Sequence, residues 1–379
     1  MTGVPQDSAL PPGTTGVIAV DLDRLAANWR ALAGLVAQTE CAAVVKADAY
    51  GLGAERCIPA LVRAGCRTFF VATHAEAETA RRLAAGVEIY VLDGLLPGAA
   101  AAMAAIGAIP VLSSQAEIRA LSEHARATHS TPAAALHICS GLNRLGLAAG
   151  DVEALSLAPE RLAGLDVRLV MSHLASADTA GDPKNTAQLS AFRQLRRMLP
   201  AARASLSASD GLMLGREFHF DLVRPGYALY GGQPSRSHRA PVDPVVSVHA
   251  RILQIRDVSA GEAVGYSGIW QARRPSRIAT IAAGYADGIP RTASATSEIT
   301  GGMVAMAGII APIVGRVSMD LVTVDVTEID PDLAQPGGWV ELIGPAITLE
   351  AAGTAAGTIG YEILTRLGRR FHRIYSGGI

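Results

Sequence analysis

The chain has 379 residues, of which 50% are hydrophobic, and its formal net charge is -1. This length and apolar content suffice for two domains with a sizeable core, while the scattered basic residues leave no footprint for nucleic acid. The most apolar stretch, residues 98–112, is too short to span a membrane and has a proline near each end, so we expect a buried helix and strand there and no membrane partner.

The amino-terminal residues 1–15 are rich in proline, glycine and threonine, without the basic start and apolar core of a signal peptide. We therefore predict a flexible tail and a cytoplasmic protein. The cysteines Cys41, Cys57, Cys66 and Cys139 show no metal-ligand spacing. They are expected to be small core residues in a reducing compartment, and no metal is expected.

Between residues 16 and 240, short β-branched runs alternate with alanine-rich helical stretches. Asp21 is placed to cap the first helix, whose apolar residues recur at helical spacing from Leu22 to Ala33. Eight strand-like runs separated by helices predict a (β/α)8 TIM-type barrel, since parallel strands need crossover helices. These runs are 42–46, 68–72, 88–92, 108–112, 134–139, 167–172, 203–208 and 221–224.

After Tyr230 the pattern changes, and the glycine-, proline- and charge-rich stretch 231–241 is predicted to be a linker. Residues 241–379 contain strand-like runs without regular helices, which predicts a mostly antiparallel β domain with a helix near residues 359–368.

Lys46 closes the apolar run 42–45 and opens the polar, glycine-bearing stretch 47–53. An ammonium group is costly to bury at the end of a strand, so Lys46 needs a partner, a route to solvent or covalent chemistry as an amine. Taken alone, this position is more often an ordinary surface lysine.

Two loops after the seventh and eighth predicted strands suit a phosphate, which barrels often bind there. Ser209 offers a hydroxyl, while Gly226 and Tyr227 offer backbone N–H groups that open a turn. Ordinary turn chemistry is the alternative explanation.

The stretch 44–51, VVKADAYG, resembles the pyridoxal-phosphate lysine motif of the bacterial alanine racemases. Six later segments resemble the same family in the same order, so the resemblance covers nearly the whole chain after residue 15. They are 142–146, 221–226, 264–266, 284–288, 315–320 and 361–362. By this resemblance the cofactor is pyridoxal 5'-phosphate, the substrate is alanine, and the product D-alanine serves peptidoglycan synthesis. The strand 16–20 is implied to join the second domain.

The resemblance implies a two-base mechanism. Lys46 would hold the cofactor as a Schiff base and, once freed by substrate, act as a base. Tyr266 matches the family's second base, on the opposite face of a planar carbanion. Because that tyrosine comes from the partner subunit in the family, a homodimer with composite sites is implied.

Arg224 matches the family's arginine at the pyridine nitrogen. An arginine cannot readily give up a proton, so the ring stays unprotonated and is a weaker electron sink. Arg224 therefore favours reversible proton transfer over loss of carbon dioxide. A structural salt bridge at a strand end is the alternative for this residue.

The remaining roles follow from the resemblance alone. By themselves, His173 would more often be a core histidine and Met319 a packing residue. The family pattern places Tyr50, Ser209 and Tyr361 at the phosphate, His173 beside the ring, Arg144 and Met319 at the substrate, and Asp320, Arg316 and Tyr285 in support of the second base.

Several positions depart from the family pattern. Leu52 and Ala208 stand where histidine and asparagine are usual, and His137 and Cys139 where lysine and aspartate are frequent. The family's lysine is carbamylated and places a negative charge against the arginine that matches Arg144. We predict a site without that carbamate, in which an anion such as chloride or a nearby carboxylate orients Arg144. Alternatively, His137 only packs within its strand.

Three other functions stay open from the sequence. A racemase of broader specificity would need a wider pocket near Tyr361 and Met319. A non-catalytic pyridoxal-phosphate carrier would be a barrel alone, without the domain that bears Tyr266. A decarboxylase conflicts with Arg224.

Overall fold

The computed structural model describes residues 10–235 and 237–378. Up to Tyr230, its strands are β1 (Gly16–Asp21), β2 (Glu40–Cys41), β3 (Ala43–Val44), β4 (Thr68–Val71), β5 (Glu88–Val91), β6 (Ile109–Leu112), β7 (Ala133–His137), β8 (Asp166–Met171), β9 (Arg203–Ser205) and β10 (Leu222–Val223). The helices of this part are α1 (Leu22–Val36), α2 (Lys46–Tyr50, a short left-handed turn), α3 (Ala54–Ala64), α4 (His74–Leu83), α5 (Ala100–Ala105), α6 (Gln115–Thr128), α7 (Ala149–Leu157) and α8 (Pro183–Arg196).

The rest of the chain is mainly strand. It contains β11 (Val246–Val258), β12 (Ala263–Val264), β13 (Trp270–Gln271), β14 (Ser276–Ile281), β15 (Met303–Met306), β16 (Ile309–Val314), β17 (Val322–Asp325), β18 (Trp339–Ile343), α9 (Leu349–Ala355), α10 (Gly360–Thr365) and β19 (His372–Ser376).

The chain divides into two compact units. We call Leu25–Ala49 together with Gly53–Val242 the barrel unit. We call the described residues up to Arg24, Tyr50–Leu52 and the residues from Asp243 onward the β unit.

The barrel unit contains a parallel sheet of seven strands in chain order, β3 to β9. The ring closes through β10, which pairs with β2 on one side. On the other side, the residues that flank β10 bond to β9 and to the chain just after it. The Asp221 N–H donates to Ala204 O at 3.0 Å, and the Arg224 N–H donates to Ser207 O at 2.9 Å. The predicted fold class is thereby confirmed. The predicted first strand is shorter than expected, because it is split at Ala42 and ends at Val44.

Strands in the barrel centre are buried on both faces, as in other parallel sheets covered by helices. All four residues of β4 and of β6 are buried. Phe70 and Tyr90, on neighbouring strands, stack with ring centroids 4.8 Å apart. The expectation of a buried helix within 98–112 is wrong, because Met103 is the buried residue of α5. A helix on the outside of a barrel turns only one face inward.

The β unit contains an antiparallel sheet in the order β14-β17-β16-β15-β18-β11-β1-β19. Because β11 pairs with both β18 and β14, six of these strands form a closed ring. Strand β1 pairs with β11 and, in parallel, with β19. The mostly antiparallel second part of the chain was predicted correctly.

Some predicted boundaries differ from the structure. The predicted helix at 359–368 is limited to α10, and its last residues form a loop. Residues 231–235 and 237–245 contain neither helix nor strand. Residues 1–9 of the predicted tail lie outside the described residues. In its remaining part, the Thr14 N–H donates to Pro11 O at 3.2 Å. Among the described helices, none combines the length and apolarity needed to cross a bilayer.

Candidate active site

Lys46 lies where the chain leaves the barrel sheet. The predicted strand 42–46 ends at Val44, two residues before Lys46. After Lys46 the backbone turns sharply, since Ala47, Asp48 and Ala49 have φ of 53°, 56° and 53° and Tyr50 has φ of 57°. These residues form a left-handed turn, which costs about 1–2 kcal/mol for each residue that carries a Cβ. None of the four is glycine, so no local signal in the sequence pointed to it.

The Lys46 amine is half-buried, and its surroundings favour the uncharged form. Burial and the positive charge of Arg144 lower the pKa of Lys46, and the negative charges of Glu76 and Asp93 oppose this shift. A lysine with a lowered pKa is a better nucleophile toward an aldehyde at neutral pH.

Two neutral imidazoles lie in the same electrostatic environment. Burial, followed by the charges of Arg224 and Arg144, lowers the pKa of His137 to about 4 and that of His173 to about 3. Both rings are therefore uncharged at pH 7. The structure thus brings Lys46, Arg144, Arg224 and the two predicted histidines into one positively charged region of the barrel unit, which suits anionic ligands.

Arg224 is 3% exposed, yet it pairs with no carboxylate among the described residues. Its guanidinium donates to Ser205 Oγ, to Ser172 O at 2.7 Å and to Leu206 O at 3.4 Å, all through the two terminal nitrogens. Burial lowers its pKa to about 9, which leaves it protonated at neutral pH. Among the described residues, no carboxylate forms the salt bridge that was the alternative explanation for Arg224. A buried, unpaired guanidinium can donate a hydrogen bond to an acceptor atom of a bound ligand.

Ser209 contacts the amino-terminal end of a 3-10 helix, Tyr227–Tyr230, which Gly226 precedes. Its Oγ accepts from the Gly226 N–H at 2.9 Å and the Ala228 N–H at 3.3 Å. Because both bonds are accepted, the hydroxyl hydrogen remains to donate to an anion. The barrel unit therefore offers an amine at Lys46, a buried cation at Arg224 and a hydroxyl donor at Ser209. These groups fit the aldehyde, the ring nitrogen and the phosphate of the predicted cofactor.

Tyr266 belongs to the β unit and is 71% exposed. It follows β12 in a 3-10 turn, and Gly265 before it has φ of 79°. This loop lies close to the one that holds Arg316, since a Cβ on Gly315 would come within 2.7 Å of Val264 O. The Nε of Arg316 is buried without a hydrogen-bond partner in the described structure.

Tyr285 and Met319 lie on two loops of the β unit that bond to each other. The Tyr285 N–H donates to Ser318 O at 3.0 Å and the Ala286 N–H to Met319 O at 3.1 Å. A side chain at Gly284 would clash with Met319 O, so glycine is needed at this crossing. Tyr285 is 39% and Met319 52% exposed.

Arg370 is a residue that sequence reasoning missed. It donates through Nε and Nη2 to buried Asp287, at 2.8 and 2.6 Å, and through Nη1 to Asp320 at 2.5 Å. Arg370 therefore ties the loop of Tyr285 to the loop of Met319. It lies outside every motif quoted above, so only its spatial position reveals it.

Tyr50 and Tyr361, the predicted phosphate tyrosines, are neighbours in the β unit. Their ring centroids lie 6.4 Å apart with the planes inclined by 45°. The pairing of two residues more than 300 positions apart agrees with a shared site, and their assignment to the phosphate stays a prediction.

Arg144 is exposed and forms no ion pair with any described residue. A carboxylate from this part of the chain therefore does not orient it, and a bound anion stays a prediction. His137 is buried and its Nδ1 lies 3.3 Å from Ser113 Oγ. The sequence contains two lysines, Lys46 and the exposed Lys184 of α8, so it offers few amines for a carbamate.

Comparison with known proteins covers both units. The family model "Alanine racemase, N-terminal domain" matches residues 20–234, and "Alanine racemase, C-terminal domain" matches residues 245–375. The chain belongs to the alanine racemase family. This assignment confirms the predicted family, the isomerase class and, at the level of the family, the cofactor pyridoxal phosphate.

Individual relatives match over nearly the whole chain. An alanine racemase of Methylobacterium nodulans is 47% identical over 362 residues, which cover 95% of this chain and 96% of that protein. A catabolic alanine racemase of Agrobacterium fabrum is 45% identical, with 96% and 92% covered. The crystal structure of alanine racemase from Bartonella henselae with covalently bound pyridoxal phosphate has a TM-score of 0.91 and 42% identity, and covers 96% of this chain and 99% of that one.

Proposed function

We propose that this protein interconverts L-alanine and D-alanine with pyridoxal phosphate, using Lys46 and Tyr266 as bases on opposite faces of the substrate. The observation that carries the proposal is the surroundings of Lys46. A half-buried amine with a lowered pKa shares its charge environment with two neutral imidazoles and with Arg224, which no described carboxylate neutralises.

When bound, pyridoxal phosphate supplies an aldehyde that condenses with amines and a ring that withdraws electrons from the bond that breaks. Arg224 would face the ring nitrogen and donate a hydrogen bond without giving up its proton, which favours proton transfer over decarboxylation. His173 would lie beside the ring. The phosphate would be held by Ser209, Gly226, Tyr227, Tyr50 and Tyr361.

Lys46 would take or return the α-proton on one face. Its lowered pKa makes more of the amine available as a base at neutral pH. Tyr266 would serve the other face, because one group can deliver a proton from one side only. Arg144 and Met319 would bind the substrate, with Asp320, Arg316, Tyr285 and His137 in support.

The exposure of Tyr266 supports a homodimer in which each copy completes the site of the other. A mixture of inactive Lys46→Ala and Tyr266→Phe chains tests this, since one hybrid site would carry both bases. We expect activity to return after subunit exchange. If exchange is demonstrated and the mixture stays inactive, the composite site is wrong.

The product D-alanine would supply peptidoglycan, and a cytoplasmic location agrees with four free cysteines. Because the relatives include both alanine racemases and catabolic alanine racemases, a deletion strain is the test of physiology. A requirement for added D-alanine would support supply to the cell wall, and normal growth without it would contradict that role.

The activity is tested by incubating the pure holoprotein with L-alanine and a panel of other L-amino acids and resolving the enantiomers formed. We expect D-alanine as the main product, and a broad product range would instead favour the racemase of wider specificity. Borohydride reduction and peptide mapping should place the pyridoxyl label on Lys46. Lys184 is the other lysine of the chain, and a label there would refute the assignment.

A further inference from the structure

The backbone directly after Lys46 is bonded to a carboxylate from the next helix. The N–H of Ala47, the first residue of the left-handed turn, donates to Glu76 Oε1 at 2.7 Å. Glu76 Oε2 accepts from the Ala72 N–H at 2.7 Å and from the Thr73 N–H at 3.3 Å. Glu76 therefore joins the turn after Lys46 to the loop before α4.

These bonds exceed what capping of α4 requires. In a capping box, the glutamate at the third helical position returns to the N–H of the capping residue, which here is Thr73. That return bond is the longest of the three that Glu76 accepts, and the two at 2.7 Å reach Ala72 and Ala47. The bond to Ala47 crosses to the preceding loop of the barrel unit, where it contributes nothing to the end of α4.

An open cleft of about 280 Å³ borders the turn, lined by Asp48, Glu76 and apolar side chains that include Val45 and Ile58. Asp48 anchors the turn to α3, since its Oδ1 accepts from the Ala54 N–H at 2.7 Å. Because successive residues have positive φ beside an incompletely filled space, the turn depends on hydrogen bonds such as that from Ala47 to Glu76.

The chain contains a second glutamate with the same arrangement and no lysine beside it. Glu117, at the start of α6, accepts from the Ser113 N–H at 2.6 Å and, across to the preceding loop, from the Leu95 N–H at 3.1 Å. Ser114 caps α6 by accepting from the Glu117 N–H at 3.2 Å, as Thr73 caps α4. Glu117 is therefore a matched control for the structural part of Glu76.

We propose that Glu76 is a positioning residue for Lys46, because it holds the left-handed turn that sets the direction of the Lys46 side chain. The proposal rests on the role of Lys46 as the cofactor lysine. The charge of Glu76 has a second effect, since it raises the pKa of Lys46 against the lowering by burial and Arg144. Position and charge are separable, because Glu76→Asp shortens the side chain while keeping its charge, whereas Glu76→Gln removes the charge and one acceptor.

The test uses the full-length holoprotein and the variants Glu76→Gln, Glu76→Asp and Glu117→Gln. Glutamine keeps the length but not the charge, and it offers one acceptor oxygen in place of two. Aspartate keeps the charge but is too short to reach Ala47 and Ala72 together. Three quantities are measured: the pH midpoint of the cofactor absorbance, the rate of cofactor loss on dialysis, and the thermal midpoint.

We expect Glu76→Gln to lower the pH midpoint by about one unit and to speed cofactor loss about tenfold. Glu76→Asp should speed cofactor loss while leaving the pH midpoint near that of the unmodified protein. Glu117→Gln should lower the thermal midpoint to a similar extent but change neither of the other two quantities. If Glu76→Gln and Glu117→Gln differ in none of the three, Glu76 is only a helix cap and the proposal is overturned.

A double variant decides the question if Glu76→Gln does not fold. Glycine adopts a positive φ without the Cβ penalty, so Ala47→Gly added to Glu76→Asp should restore cofactor retention. Retention that stays as poor as in Glu76→Asp alone would overturn the positioning role. The borohydride label on Lys46 of the unmodified protein tests the proposed function separately, so failure of that function is distinguishable from failure of this inference.

Discussion

The barrel unit buries Arg224 and His137 among its predicted site residues, whereas the β unit presents Tyr266 and Met319 at its surface. Arg224 and His137 are 3% and 7% exposed, while Tyr266 and Met319 are 71% and 52% exposed. Burial has chemical consequences in the barrel unit, where it lowers the pKa of Lys46, His173 and other groups. The predicted site residues of the barrel unit therefore lie in surroundings that shift their pKa values, whereas Tyr266 and Met319 of the β unit are exposed to solvent.

The loops that carry the predicted site residues are also stabilised differently in the two units. In the barrel unit, backbone N–H groups converge on side-chain oxygens such as those of Glu76 and Ser209. In the β unit, one arginine, Arg370, joins the carboxylates of Asp287 and Asp320. Substitutions in the first region should mainly alter chemistry at Lys46, and those in the second should alter the arrangement of the loops around Tyr266.

The largest effect is expected at Tyr266. Tyr266→Phe should reduce racemisation by about 10²- to 10⁴-fold, the usual contribution of a general acid or base. Loss should be greater for proton removal from one enantiomer than from the other, because in the proposed mechanism Lys46 still serves its own face. Solvent-deuterium incorporation into each enantiomer measures this, and equal losses would argue against separate bases on opposite faces.

Loss of the arginine bridge in the β unit should have the next largest effect. Arg370→Ala leaves the buried Asp287 carboxylate without its cation, which should lower the free energy of unfolding by about 2–4 kcal/mol. Urea denaturation of the holoprotein measures the change. Asp287→Asn with Arg370→Ala is the control, since removing both charges should recover part of the loss. No recovery would show that the pairing is not the cause.

A buried histidine of the β unit should make the protein sensitive to acid. Burial lowers the pKa of His249 to about 4, below its usual value of 6.5. The unfolded chain therefore binds a proton more readily, so stability is lost as pH falls from about 6.5 toward 4, by about 2 kcal/mol near pH 5. His137 and His173 contribute losses of the same sign. His249→Leu should therefore reduce the difference in the free energy of urea unfolding between pH 7 and pH 5 by about 2 kcal/mol without abolishing it. The exposed His238→Leu should leave this difference unchanged, and equal behaviour of the two variants would contradict the assignment.

The smallest effect concerns the anion expected at Arg144. Because no described carboxylate pairs with this exposed arginine, replacing chloride by a bulky anion should raise KM for alanine about threefold to tenfold with little change in kcat. Steady-state kinetics at constant ionic strength measure this. An unchanged KM would mean that no small anion orients Arg144. A carbamate found on a lysine beside Arg144 in a high-resolution crystal structure would contradict the other part of the prediction.

The sequence by itself determined the two architectures and the family, and it grouped the predicted site residues of the barrel unit. Alternating strands and helices specify a parallel barrel, and strand ends of a barrel converge, so Lys46, Ser209 and Arg224 could be grouped from their places after strands. Family resemblance then supplied the roles of Tyr266, Met319 and the others. The architecture and the family were predicted correctly because a local pattern, repeated along the chain, carries that information, and the residue roles stay predictions.

Only the tertiary structure decided the left-handed turn after Lys46 and the contacts that hold the predicted site residues within each unit. No glycine marks the turn, since the strain of its positive φ angles is offset by bonds from elsewhere. The bond from Ala47 to Glu76 joins residues 29 positions apart, and Arg370 reaches Asp287 and Asp320 across 83 and 50 positions. Such pairs have no common period or motif, because folding alone brings them within hydrogen-bonding distance.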